Sequence, residues 1–257
     1  LYHFFKNENN VNIISPNQYT DILNFLPGSE SVLVFDNEKE KSTNLLKNAD
    51  IIFTLDFNSL SRARNLSNLI SKSSAKIIMI DHHENPDKYA DIMISDSKMS
   101  STCEMVYDFI YLIDKNKINN KIATCLYTGI VADTGSFRYP STTSKTLKTG
   151  SELINYGVNV TEIYEKLHNN FQFKRLKLLG AAINNYKKID GLPVLYTMIT
   201  DHDQKINDFK KGDSEGFVNF GLSVTGILCS VLFIEKKEEG FIKISFRSKG
   251  DFKVNIF

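Results

Sequence analysis

Asp81-His82-His83 sets a carboxylate beside two imidazoles. The triplet offers oxygen and nitrogen ligands for a divalent cation, together with a group able to move a proton. Taken alone it reads better as a solvated polar loop. Position favours the chemical reading, because Asp81 directly follows the apolar run Ile77-Ile78-Met79-Ile80 and Asp56 directly follows Ile51-Ile52-Phe53-Thr54-Leu55. In open parallel sheets, reactive side chains collect just past the carboxyl ends of the strands. Asp36 follows Val32-Leu33-Val34-Phe35 in the same way, but Asn37-Glu38-Lys39-Glu40 behind it reads as an ordinary helix start, so Asp36 is left out of the site.

A further carboxylate stands in Gly129-Ile130-Val131-Ala132-Asp133-Thr134-Gly135-Ser136-Phe137-Arg138, where an apolar helix ends among small residues. The helix macrodipole disfavours negative charge at that end. A bound cation would offset the cost, whereas a turn-capping role accounts for Asp133 but not for its neighbours. A cluster of carboxylates and imidazoles suits Mn²⁺ or a related ion. Ser136, Arg138 and Thr142-Thr143 could hold an anion, the guanidinium bidentately and the hydroxyls as donors, or form a plain polar loop. Arg247-Ser248, after Ile242 to Phe246, leaves the same two readings open.

The elements that must position these groups follow from periodicity. Val11–Ser15, Ser31–Phe35, Asp50–Leu55 and Lys76–Ile80 are short apolar runs separated by stretches of helical pattern, Gln18–Leu26, Glu38–Ala49 and Ser59–Ser71. This is the rhythm of an α/β fold, a parallel sheet flanked by helices. Ser101 opens the next helix with a capping box to Glu104. The apolar helix from Ser101 to Ile113 could be core or the face of a homodimer. Asn119–Ala132 reads as a buried helix, and the pattern from Ser144 to about Lys188 is helical, broken at Gly157. Beyond it, Leu192–Thr200, Ser223–Glu235 and Gly240–Arg247 read as strands, with Lys236–Gly240 as a hairpin turn. The expected layout is therefore a first domain over residues 1–160, a helical connector over 161–189 and a smaller α+β domain over 190–257.

Composition narrows the function classes. Among 257 residues, 31 Lys plus Arg oppose 30 Asp plus Glu, so no whole-molecule field draws the protein to long duplex nucleic acid. Any anionic substrate is short or small and held locally. Cys103, Cys125 and Cys229 show neither a disulfide framework nor zinc-ligand spacing, which suits a reducing cytoplasm. No run is long enough to span a membrane. Leu1–Lys6 reads as the middle of a helix, and Phe252–Phe257 carries no capping composition, so further residues are expected at both ends.

Together, Asp81-His82-His83, Asp56 in Thr54-Leu55-Asp56, and Ala132-Asp133-Thr134-Gly135-Ser136-Phe137 resemble the DHH phosphoesterases. Glu215-Gly216-Phe217-Val218-Asn219 and Ile244-Ser245-Phe246-Arg247-Ser248 look like the DHH-associated substrate-binding domain, so the resemblance covers essentially the whole chain. Order and size are most similar to the nanoRNase subgroup, which degrades very short oligonucleotides and often dephosphorylates 3′-phosphoadenosine 5′-phosphate. The resemblance implies that Asp56 bridges two Mn²⁺ ions, with Mg²⁺ or Co²⁺ as alternatives, and that His82 and Asp133 ligate one of them. It implies that Asp81 supports the site, that His83 acts at the scissile phosphate or leaving group, and that Arg138, Arg247 and Ser248 contact substrate. The implied substrate is short single-stranded RNA or a small nucleotide.

Two departures stand out. The family's Asn-Pro-Asp-Gly-Asp-like motif, with its preceding His, is expected upstream of Leu1, and its Gly-Gly-Gly-His loop beyond Phe257. His3 lies in a helical stretch and reads as a surface or packing residue. The alternatives are a cyclic or linear dinucleotide phosphodiesterase and, in another class, a noncatalytic nucleotide-binding protein with a decayed metal site.

Overall fold

The apolar runs of the first half form parallel strands in the computed structural model, which describes residues 1–169, 172–210, 212–252 and 254. The remaining positions fall within the expected connector and second domain and lie outside the described residues. The chain divides into two compact units, Leu1–Asn170 and Phe171–Phe257, each taken here by itself.

In the first unit the order is α1 (Tyr2–Phe5), β1 (Ile13–Ser15), β2 (Val32–Val34), α2 (Lys39–Lys47), β3 (Ile51–Leu55), α3 (Ser67–Ser71), β4 (Lys76–Asp81) and β5 (Ile92–Ser95). Four helices follow, α4 (Thr102–Asp114), α5 (Asn120–Asp133), α6 (Ser144–Ile154) and α7 (Val160–His168). The strands pair in two parallel ladders, β1-β2 and β3-β4-β5. A cavity of about 1440 Å³ is lined by Val11–Ile14 from one ladder and Ile51–Leu55 from the other.

β4 is covered on both faces, as expected of a central parallel strand. Successive side chains alternate across the sheet, so Ile77 joins a core with Ile52, Leu66 and Ile70, while Ile80 joins another with Met105, Ile110, Leu126 and Ile130. Ile80, Ile110 and Ile130 are fully buried, each contributing roughly 1.5–3 kcal/mol of burial free energy. This packing anchors β4, α4 and α5, the elements that end or begin at the site. Helices α4 and α5 meet closely at Gly129, where a Cβ would lie 2.1 Å from Cys103 Sγ. The opposite side of α4 leaves Leu112 and Ile113 exposed, so the apolar pattern of that helix is only partly core. His3 is a packing residue: its Nε2 lies 2.7 Å from the Pro27 carbonyl.

The second unit runs α8 (Phe173–Asn184), β6 (Lys187–Lys188), β7 (Val194–Ile199), α9 (Asp201–Ile206), α10 (Phe217–Leu222), β8 (Cys229–Lys236) and β9 (Phe241–Ser248). Its sheet order is β6-β7-β8-β9, with only β7 and β8 parallel. Leu178 and Ala182 of α8 pack with Ile199, Phe217, Leu232 and Ile234. The expected connector is thus shared, α7 ending the first unit and α8 supplying core to the second.

Several local expectations change. The segment Gln18–Leu26 contains a 3-10 turn, Asp21–Phe25, rather than an α-helix. Ser59–Ser71 is a 3-10 stretch followed by short α3, because Arg64 adopts φ 51° and interrupts the helical ladder. The strand expected from Ser223 starts only at Cys229, after α10 and a turn at Gly226 with φ 80°. β5 and β6 have no counterpart in the sequence reading. The Ser101 capping box forms by half: Ser101 Oγ accepts the Glu104 N–H at 3.1 Å, but the Glu104 carboxylate turns elsewhere.

Candidate metal centre

Parallel pairing of Leu55 with Ile80 brings Asp56, the residue after β3, and Asp81, the last of β4, to one rim of the sheet. The Asp56 N–H donates to the Ile80 carbonyl at 3.1 Å, and the chain then leaves the sheet through a left-handed backbone at Asp56, φ 65°. Asp and Asn enter that region more readily than most residues. Thr102, at the start of α4, donates its hydroxyl to Asp56 Oδ1 at 2.8 Å and so fixes one carboxylate oxygen.

His82 Nε2 lies 3.6 Å from Asp56 Oδ1 and 4.0 Å from Asp133 Oδ2. Its Nδ1 lies 3.2 Å from the Met99 carbonyl oxygen. A carbonyl can only accept, so Nδ1 carries the hydrogen and, in the neutral ring, Nε2 keeps its lone pair on the side of the two carboxylates. Metal-binding histidines are oriented in this way, by a hydrogen bond at the other ring nitrogen.

Asp81 is fully buried and serves His83 twice. Its Oδ2 accepts the His83 N–H at 3.0 Å, and its Oδ1 lies 2.7 Å from His83 Nδ1. The carboxylate thereby holds both backbone and ring of His83, leaving Nε2 available. One ligand atom each from Asp56, His82 and His83 falls within 4.8 Å of the others. The structure therefore groups His83 with Asp56 and His82, while Asp133, expected in the same set, lies outside that trio at 4.0 Å from His82 Nε2.

Charge is crowded here. Burial, and next the negative charge of Asp56, push the Asp133 carboxyl above its ordinary value, while His82 and His83 act in the opposite sense. Below the rim, burial pushes the Cys103 thiol up to about 12, with Asp133 and Asp56 adding to the shift. Two facing carboxylates, with an imidazole lone pair between them, form a donor set suited to a cation.

The turn after Asp133 is built by Thr134, which donates to the Ile130 carbonyl at 2.6 Å and accepts the Phe137 N–H at 2.9 Å. Gly135, Ser136 and Phe137 are successively left-handed, with φ 54°, 64° and 63°. Gly135 is required there, since a Cβ would meet the Tyr139 ring at 2.5 Å. Ser136 Oγ lies 3.1 Å from His168 Nε2, and the Arg138 guanidinium sits 5.5 Å from the Tyr139 ring centroid. Arg247 and Ser248 belong to the second unit, where Arg247 donates to the Phe246 carbonyl at 2.8 Å and Ser248 Oγ accepts the Val254 N–H at 3.3 Å. Sequence reasoning passed over Thr102, the Met99 carbonyl and His168. The Ser100-Ser101-Thr102 run was a visible cue for hydroxyl donors, whereas a backbone carbonyl leaves no mark in a sequence.

The family model described as "DHH family, N-terminal domain" matches residues 1–130. The chain belongs to the DHH family. Among similar proteins are two described as "Bifunctional oligoribonuclease and PAP phosphatase NrnA". The one from Bacillus subtilis is 35% identical over 69% of this chain and 56% of that protein. The one from Thermus thermophilus is 33% identical over 68% of this chain and 51% of that protein. This DHH chain thus spans about half the length of the curated relatives it matches. A crystal structure of an exopolyphosphatase-related protein from Bacteroides fragilis superposes with a TM-score of 0.95 at 37% identity, covering 99% of this chain and 75% of that one. The α/β architecture is therefore shared with that solved structure. Among the described residues, no helix is long and apolar enough to cross a membrane.

Proposed function

We propose that this protein is a two-metal phosphoesterase that hydrolyses phosphoester bonds in short oligoribonucleotides or in small nucleotides such as 3′-phosphoadenosine 5′-phosphate. The observation that carries the reading is His82, hydrogen-bonded through Nδ1 to the Met99 carbonyl and directing Nε2 toward Asp56 and Asp133. The names of the Bacillus and Thermus relatives support the substrate class.

Asp56, His82 and Asp133 would hold divalent ions, Mn²⁺ by donor type, with Mg²⁺ or Co²⁺ as alternatives. Bound at such a site, the ions would polarise the phosphoryl group and lower the pKa of water. The chain's own contribution centres on His83. Asp81 holds its Nδ1 and fixes the ring, so Nε2 can present a proton to the phosphate or to the leaving oxygen. Arg138 and, in the second unit, Arg247 and Ser248 are the proposed nucleotide contacts, the two guanidinium groups being suited to phosphate and the Ser248 hydroxyl able to donate to its oxygens. Residues 1–160 would carry the chemistry and 190–257 the recognition. A cytoplasmic location suits Cys103, Cys125 and Cys229, none of which is bridged.

The test is turnover of the protein, expressed from its complete reading frame with Mn²⁺, on pGpG, on 3′-phosphoadenosine 5′-phosphate and on a short RNA. Hydrolysis of short RNA or the mononucleotide, abolished by Asp56→Ala, is expected. Inactivity on all three substrates, with nucleotide affinity unchanged by Asp56→Ala, would instead identify a noncatalytic binding protein.

A further inference from the structure

Glu104 is 1% exposed, lies in the first turn of α4, and does not close the capping box that its spacing suggests. Its Oε2 instead accepts from the Ser100 N–H at 3.3 Å, the Ser100 hydroxyl at 2.5 Å and the Thr146 hydroxyl at 3.0 Å. Thr146 is itself tied down, since its hydroxyl accepts the Thr143 N–H at 3.1 Å within the capping box of α6. One buried carboxylate thus joins the loop before α4 to the start of α6.

That loop carries two contacts to the candidate centre. Met99, the residue before Ser100, presents the carbonyl that takes the His82 Nδ1 hydrogen. Thr102, two residues after Ser100, donates to Asp56 Oδ1. Ser100 is the point between them, and its N–H and hydroxyl both end on Glu104. Glu104 Oε1 is buried with no hydrogen-bond partner among the described residues, so the hold on the loop rests on Oε2, and a donor displaced from it would lose a partner away from water.

We propose that Glu104 is a positioning residue for the metal centre, holding the Met99–Thr102 segment where it orients His82 and Asp56. Glu104 itself touches no candidate ligand and acts through Met99 and Thr102. The inference rests on the functional reading above for its consequence in metal binding, but its geometric part concerns the imidazole of the metal-free protein.

Two readouts separate positioning from mere stabilisation. The first is the ¹⁵N shift pattern of His82 in the metal-free full protein at pH 8.5, where an ordinary imidazole is neutral and the hydrogen-bearing nitrogen can be identified. The second is Mn²⁺ affinity by calorimetry. Wild type is expected to carry the His82 hydrogen at Nδ1. Glu104→Ala should mix the two tautomers and weaken Mn²⁺ binding about 10–100-fold, the range for partners that orient metal ligands. Glu104→Gln, which keeps the volume and one acceptor oxygen, should fall between. If Glu104→Ala does not fold, Glu104→Gln and Ser100→Ala decide by the same two measurements. Variants that melt earlier yet keep the wild-type His82 pattern and Mn²⁺ affinity within twofold would overturn the proposal. Wild type that binds no Mn²⁺ would overturn the functional reading, while the shift pattern would still decide the role of Glu104.

Discussion

Replacing Asp133 by Asn should stabilise the protein without metal and weaken it with metal. In the metal-free state the carboxylate stands at the last residue of α5, against the macrodipole, and faces Asp56. An exposed charge at a helix end is worth about 0.3–1 kcal/mol. The repulsion from Asp56 adds to this, but Asp133 is 39% exposed and solvent screening keeps that addition small. Asp133→Asn is therefore expected to gain about 0.5–1 kcal/mol at pH 7, a rise in Tm of about 1–4 °C for a chain of this size. The pH dependence has a definite sign. Because the folded carboxyl titrates above its ordinary 3.8, the native state binds more protons in that window and stability falls as pH rises through it. The advantage of the variant should thus shrink as pH falls toward 3.8 and vanish below it. Added Mn²⁺ reverses the order, since a ligand at 100 times its Kd stabilises the binding-competent form by about 2.7 kcal/mol and the variant has lost a donor. Differential scanning fluorimetry in EDTA at pH 3 to 8, and in Mn²⁺ at pH 7, reads all of this. A variant less stable than wild type in EDTA, or an equal Mn²⁺ shift in both proteins, would refute the argument that Asp133 needs a cation.

Other perturbations probe separate links. Thr102→Val removes the donor on Asp56 and should weaken Mn²⁺ binding about tenfold; calorimetry showing unchanged affinity would remove Thr102 from the site. Asp81→Asn leaves the His83 ring without its charged partner and should lower kcat by about 10²–10⁴, as for loss of positioned acid–base catalysis; full turnover would exclude His83 as the proton donor. Gly129→Ala drives a methyl into Cys103, an overpacking cost of about 1–3 kcal/mol. The better helix propensity of Ala returns about 1 kcal/mol, so urea melts should show a net loss, and a stabilised variant would contradict the close helix contact.

Much of the sheet was legible because β2, β3 and β4 are short apolar runs with turn residues at both ends. Asp56 and Asp81 could be placed at strand ends from those runs alone, and the DHH resemblance was carried by the same residues. β5 escaped because Ile92-Met93-Ile94 is too short to stand out, and its strand character comes from pairing with Ile78–Ile80. The helix expected over Ser59–Ser71 failed at Arg64, whose left-handed backbone is set by tertiary context and has no Gly or Pro to announce it. Glu104 misled in a different way. Its spacing from Ser101 satisfies a local rule, but a carboxylate buried beside Thr146 answers to a residue 42 positions away. The tautomer of His82 was out of reach for a related reason, because its partner is the backbone of Met99.

The tight seam between α4 and α5 also makes Cys103 a clock. With burial pushing its thiol up to about 12 and its sulfur packed against Gly129, the half-buried Cys103 carries almost no thiolate at neutral pH. Alkylation is then slow while the helices stay packed and quickens when they part, so a change in its rate at fixed pH reports a change in that opening. Since the same two helices carry Thr102 and Asp133, peptide-resolved alkylation should slow when a cation ties them together at the rim, giving a measure of site closure that involves no substrate.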